Sequence, residues 1–259
     1  MDIRSSFLPL VAEWMGIIAV TMILALSPRF KRRAVIFKYA SREGWISLGL
    51  VLVTGIAVWL GFSQAMHITG LPYPYTVSAT PLPTYTPAQL SLQLMISVLA
   101  VIPFILALLI RKQPALSVGL NPKTLGGGLQ IGLGLALMTI FLRGKIYVIL
   151  GGLTREQMNY LPAMLLIGLS MEFIFRGFVQ PRLSSWIGPQ WGWLAATALF
   201  VLWQIPQILT VVNADSMTLG LTLANTAISG LIYGWIMQKT GNVLGPGLYH
   251  AFHLWVAVL

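Results

Sequence analysis

The chain has no cysteine, which removes a disulfide framework and any thiolate-ligated metal centre while leaving the redox compartment open. Charge is scarce as well. Acidic and basic residues together make up 8% of the 259 residues, where a soluble domain carries about a quarter. So little charge cannot wet the surface of a soluble protein of this size. Apolar residues fill the gap, at 57% of the chain with a mean hydropathy of +0.82. Lipid is therefore the expected solvent. Acids are the scarcest class, six against sixteen Lys and Arg, for a net charge of +10. The basic residues lie between apolar runs and form no patch on a soluble face. Membrane headgroups, not nucleic acid, are their expected partners.

Runs of about 20 apolar residues, long enough to cross a bilayer, mark an all-α bundle of about eight membrane helices in a single integral domain, 1–259. They fall near 7–27, 44–66, 90–110, 125–142, 160–176, 191–212 and 218–238, with a short last run at 247–259. The first is read as a span, since it is too long for a signal core and its basic cluster follows the apolar run. Alternate loops hold Arg29, Lys31, Arg32, Arg33, Lys38, Arg42, Arg111, Lys112, Lys123, Arg176, Arg182 and Lys239, against Arg4, Arg143, Lys145 and Arg155 on the other side. The richer side is expected to be cytoplasmic, with both termini outside. The three positives at 143–155 run against that bias. A prokaryotic cytoplasmic membrane, or an equivalent internal one, is the expected location.

The stretch from His67 to Gln89 has no charge and contains Pro72, Pro74, Pro81, Pro83 and Pro87, so it reads as a loop over the helix ends. Its Tyr73, Tyr75 and Tyr85 suit an interfacial position. Gly126, Gly127, Gly128, Gly132 and Gly134, and later Gly230 and Gly234, have the small-residue spacing that lets helix backbones approach. Gly241, Gly245, Pro246 and Gly247 mark a break before the last helix. From Gly247 onward that helix spans roughly 20 Å at 1.5 Å per residue, short of the bilayer core of about 30 Å. Its terminal carbonyls need cover, from the bundle or from a neighbouring subunit.

Ionisable residues inside a membrane need a partner or a purpose. In the C-terminal half the polar set is Glu172, Arg176, Gln204, Asn225, His250 and His253. Glu172 and Arg176 stand four apart on one helix face, a spacing that permits an ion pair. Met171-Glu172-Phe173-Ile174-Phe175-Arg176-Gly177 resembles the Glu-Glu-three-Arg motif of the CAAX-protease and bacteriocin-processing (CPBP) family of intramembrane glutamic proteases. Phe200-Val201-Leu202-Trp203-Gln204 resembles that family's Phe-three-His motif, and His250-Ala251-Phe252-His253-Leu254 its His-three-Asn motif. Ser229–Gly234, running into Lys239–Asn242, resembles a further conserved region, so the resemblance covers about 160–255 in order and spacing.

The resemblance implies a catalytic site at Glu172, Arg176, Gln204 and His250, with Met171 and Leu254, and it also implies that the site is degenerate. Met171 stands where the family has the Glu that activates water, Gln204 replaces the first His, and Leu254 replaces the Asn that helps hold the oxyanion. A thioether is no base, and an amide cannot shuttle a proton. Losing a general base costs about 10²–10⁴ in rate, and losing an oxyanion donor roughly 10²–10³. Glu172 lies about 100° around the helix from position 171, so its carboxylate is expected to point elsewhere, held by Arg176.

The expected function is that of a scaffold, assembly factor or accessory subunit bound to other membrane proteins. An intramembrane endopeptidase using Glu172 and His250 is one alternative, and a pigment- or cofactor-binding subunit with His250 or His253 as axial ligand is another. Glu172, His250 and His253 would make a two-His, one-carboxylate metal site only if they converged. Nothing in the sequence fixes the carboxylate's distance from the two His, and neither metal nor cofactor is expected.

Overall fold

The computed structural model describes residues 3–26, 35–69, 86–211 and 216–259. Among them there is no strand. The helices are α1 (Ile3–Ala25), α2 (Ala40–Thr69), α3 (Pro87–Ile110), α4 (Leu125–Leu142), the short α5 (Ile146–Leu150), α6 (Arg155–Glu172), α7 (Gln180–Ile187), α8 (Pro189–Val211), α9 (Ser216–Thr240) and α10 (Leu244–Val258). Among the described residues five stretches are long and apolar enough to cross a membrane: Ala40–Ala65, Pro87–Ile110, Leu125–Leu142, Arg155–Ile187 and Leu219–Thr240. With α1, α8 and α10 they occupy the eight runs expected from the sequence. The chain is a multi-pass helical membrane protein. The proline-rich 70–85, with its three tyrosines, lies outside the described residues, as do Arg29, Lys31, Arg32 and Arg33.

Several boundaries move, each for a local reason. Pro87 belongs to α3 and not to the loop. It takes the first helical turn, where the missing N–H has no intrahelical partner to lose, and Thr86 and Gln89 close a reciprocal capping box in front of it. Likewise α10 starts at Leu244, so Gly245, Pro246 and Gly247 form its first turn, and the chain turns at Gly241, whose φ is +62°. The run ending near 176 in the sequence continues to Ile187. A π-helical stretch, Phe173–Val179, joins α6 to α7. Such turns widen the helix locally and often accompany functional side chains.

The architecture places α10 at the centre. It packs most extensively against α6 and α4 and also touches α9, while α7 lies between α8 and α2, and α1 lies on α4. Close approach explains the contacts of α10. A Cβ at Gly168 would sit 2.6 Å from the Ala251 backbone nitrogen, and one at Gly132 would sit 2.7 Å from Leu248. Gly132 therefore serves as expected, Gly128 instead makes room for the Asn242 side chain, and Gly126 and Gly134 face open space. Residues Gly245 through Ala251 and His253 through Val256 of α10 are buried. The bundle itself covers this half-length helix.

Candidate functional site

Glu172 is the last residue of α6, Arg176 lies in the π-helical stretch, and His250 is on α10. Glu172 and Arg176 are fully buried, and His250 nearly so. His250 Nδ1 lies 2.9 Å from Glu172 Oε1, and Arg176 Nε lies 3.2 Å from Glu172 Oε2. One carboxylate is thus held between an imidazole and a guanidinium. Arg176 Nη2 donates to the Gly230 carbonyl at 2.6 Å, and its guanidinium lies 4.5 Å from the centre of the Phe200 ring and 5.5 Å from that of Tyr233. The glycine at 230 makes this possible, since a Cβ there would come within 3.2 Å of Arg176 Nη2. The imidazole of His250 stacks on Tyr233 at 4.5 Å and 18°, with Phe200 edge-on at 6.1 Å.

The structure thus corrects one expectation. The Glu172 carboxylate does not point away from the other site residues but meets His250 directly. The ion pair with Arg176 is present as the spacing suggested. Arg176 and Arg182 are not loop charges either, since both are fully buried and each faces a carboxylate, Glu172 and Glu43 respectively.

Met171 and Leu254 lie in two separate apolar clusters. Met171 packs in an apolar cluster with Ile174, Phe175 and Phe178. Leu254 belongs to a different cluster, with Tyr160, Met164 and Ile167. Gln204 is buried on α8, one turn beyond Phe200. His253 turns to another partner, so Glu172, His250 and His253 do not form a ligand set. Among the described residues no group of three His or carboxylate side chains is placed to hold a metal.

The partner of His253 was missed in the sequence. Glu13 of α1, fully buried, lies 3.0 Å from His253 Nδ1 and 2.6 Å from Arg143 Nε, and it accepts a hydrogen bond from Tyr249 Oη at 3.1 Å. Thr139 Oγ1 also reaches it, at 3.3 Å. This cluster ties α1 and the end of α4 to α10. The sequence signal was there: Arg143 heads the three positives that opposed the charge bias, and Glu13 neutralises it.

A second missed cluster lies at the other end of the bundle. Glu43 accepts from Arg111 and Gln113 and faces Arg182, which in turn donates to Gln113 and to the Phe178 carbonyl. It fastens the start of α2 to the end of α3 and to α7. The charges left unpaired on this side include Lys38, Arg42, Lys112 and Lys123, all exposed, so its positive excess persists.

Against known families, residues 155–256 match the model described as "Rce1-like: Type II CAAX prenyl endopeptidase Rce1-like". This segment is similar to that family. It contains Met171, Glu172, Arg176, Gln204, His250 and Leu254, and the stretch 160–255 that resembles the CPBP family falls inside it. The match spans less than half of the chain, and Glu13, Glu43, Arg111 and Arg143 lie outside it. No curated protein and no solved structure matches the chain. Within the matching segment, Glu172 of α6 faces both Arg176 and His250 of α10, and Arg176 reaches on to the Gly230 carbonyl of α9.

Proposed function

We propose that this protein is a catalytically degenerate relative of the CAAX endopeptidases that works as a scaffold, assembly factor or accessory subunit in a membrane complex. One observation carries the reading. The Glu172 carboxylate is fully buried, with one oxygen on His250 and the other facing Arg176, while Met171 stands at the water-activating position of the resemblance. Both carboxylate oxygens already face a partner, so a water that reached Glu172 would have to displace His250 or Arg176. Position 171 supplies no base at all. The retained polar residues support packing, and packing is what a scaffold needs.

The test is to extract the protein from its native membrane in mild detergent and identify by mass spectrometry what remains bound. A defined integral-membrane partner at fixed stoichiometry is expected, and a monodisperse monomer with no companion would count against the reading.

A second reading has its own observation, the 2.9 Å contact between Glu172 and His250. A carboxylate–imidazole pair is a unit that general acid–base catalysis can use. On this reading the protein remains an intramembrane endopeptidase. Cleavage of candidate peptides that disappears in Glu172→Gln would establish it and displace the first.

A further inference from the structure

A cavity of about 290 Å³ lies between the start of α2 and the turn that follows α3, lined by Ile36, Lys38, Tyr39, Glu43, Leu116 and Ser117 among others. We propose that it binds the phosphate group of an anionic membrane lipid. This rests on the chain being a membrane protein and not on the reading of its catalytic state.

Charge is the first reason. Glu43 faces two guanidiniums, Arg111 and Arg182, and Lys38 adds a third cation at the cavity wall. One carboxylate does not balance three cations. Three other acids are described. Glu13 and Glu172 are committed to other clusters, and Glu156 bonds Tyr160 at the start of α6. Among the described residues no further acid is left to balance them, and a bound anion would do so.

Unsatisfied donors are the second reason. Ser117 is 3% exposed, lines the cavity, and its Oγ has no hydrogen-bond partner. Arg111 Nη1 is also buried and unpaired. A buried donor without a partner costs about 1–3 kcal/mol, a cost that a phosphate oxygen would remove. The first turn of α2 borders the same space through Tyr39 and Glu43, and its free N–H groups favour an anion.

Position decides between a lipid and a free ion. Ile36, Tyr39 and Leu116, all on the cavity rim, are largely exposed, and the exposed Trp45 of the next turn of α2 packs at a tilt against Trp186. Exposed aromatic and aliphatic side chains at the end of a membrane helix mark the headgroup level. There a headgroup could enter the cavity while its acyl chains run down over Leu116 and Ile36. The segment 35–39 is itself fastened, since the Phe37 N–H donates to Ser185 Oγ at 3.1 Å and Arg182 lies 4.9 Å from the Phe37 ring.

The experiment uses the full chain in a neutral detergent and reads its melting temperature against added phosphatidylglycerol, phosphatidylcholine or inorganic phosphate. Wild type is compared with Ser117→Ala, Lys38→Gln and the control Lys123→Gln, which removes an exposed charge away from the cavity. Phosphatidylglycerol is expected to raise the melting temperature saturably, with an apparent affinity roughly five- to tenfold weaker in Ser117→Ala and Lys38→Gln and unchanged in Lys123→Gln. Stabilisation by inorganic phosphate alone, lost in Ser117→Ala, would keep the phosphate site and overturn the lipid assignment. Equal responses to the two lipids, or equal losses in all three variants, would overturn the proposal.

Discussion

Replacing Arg176 by Met should be among the most damaging single changes in this protein. The side chain is fully buried, faces Glu172 at 3.2 Å, donates to the Gly230 carbonyl at 2.6 Å and lies over Phe200 at 4.5 Å. Removing one partner of a buried ion pair costs about 3–5 kcal/mol, because the other charge stays behind uncompensated. The hydrogen bond and the aromatic contact overlap with that figure and do not add to it. If Glu172→Gln is introduced as well, the stranded charge is gone. The double variant should then lose less than the sum of the two singles, by about 2–3 kcal/mol of coupling. The assay is equilibrium unfolding in mixed micelles, titrating a denaturing detergent and following the fluorescence of the nine Trp residues. Single variants that each cost under about 1 kcal/mol and combine additively would refute the description of this cluster as a tight buried pair.

Three further outcomes follow from the packing. Glu13→Gln should cost about 3–5 kcal/mol, since it strands Arg143 among α1, α4 and α10; the same unfolding titration checks it, and a loss below about 1 kcal/mol would show the cluster to be solvated. Gly168→Ala should cost about 1–3 kcal/mol by overpacking, because its Cβ would lie 2.6 Å from the Ala251 backbone, which cannot move aside as a side-chain tip could. Leu254→Asn, which restores the residue type of the family motif, should destabilise by about 1–3 kcal/mol and yield no hydrolysis. The amide would enter an apolar cluster of Tyr160, Met164 and Ile167.

The membrane helices were legible in the sequence because each is a run of about 20 apolar residues, and a helix satisfies its own backbone hydrogen bonds in lipid. The Glu172–Arg176 pair was legible because four residues bring two side chains together on any helix. The contact between Glu172 and His250 was not. It depends on how α6 is rotated against α10, and a π-helical stretch beginning at Phe173 alters the phase just where a regular helix would be assumed. The Glu13–Arg143–His253 cluster joins residues 130 and 240 positions apart. No local pattern encodes such distances. Its trace was Arg143, one of the three positives at 143–155, which is paired with Glu13 and does not face solvent as a loop charge. Glu43 left a similar trace as one of only six acids, next to the most basic part of the chain.

The most direct test of the account is hydrolysis of a prenylated CAAX-type peptide by the purified protein in lipid bilayers, run with wild type and Glu172→Gln side by side. The account predicts that neither releases product faster than bilayers without protein. Steady turnover by wild type that vanishes in Glu172→Gln, with both proteins folded to the same extent, would contradict it.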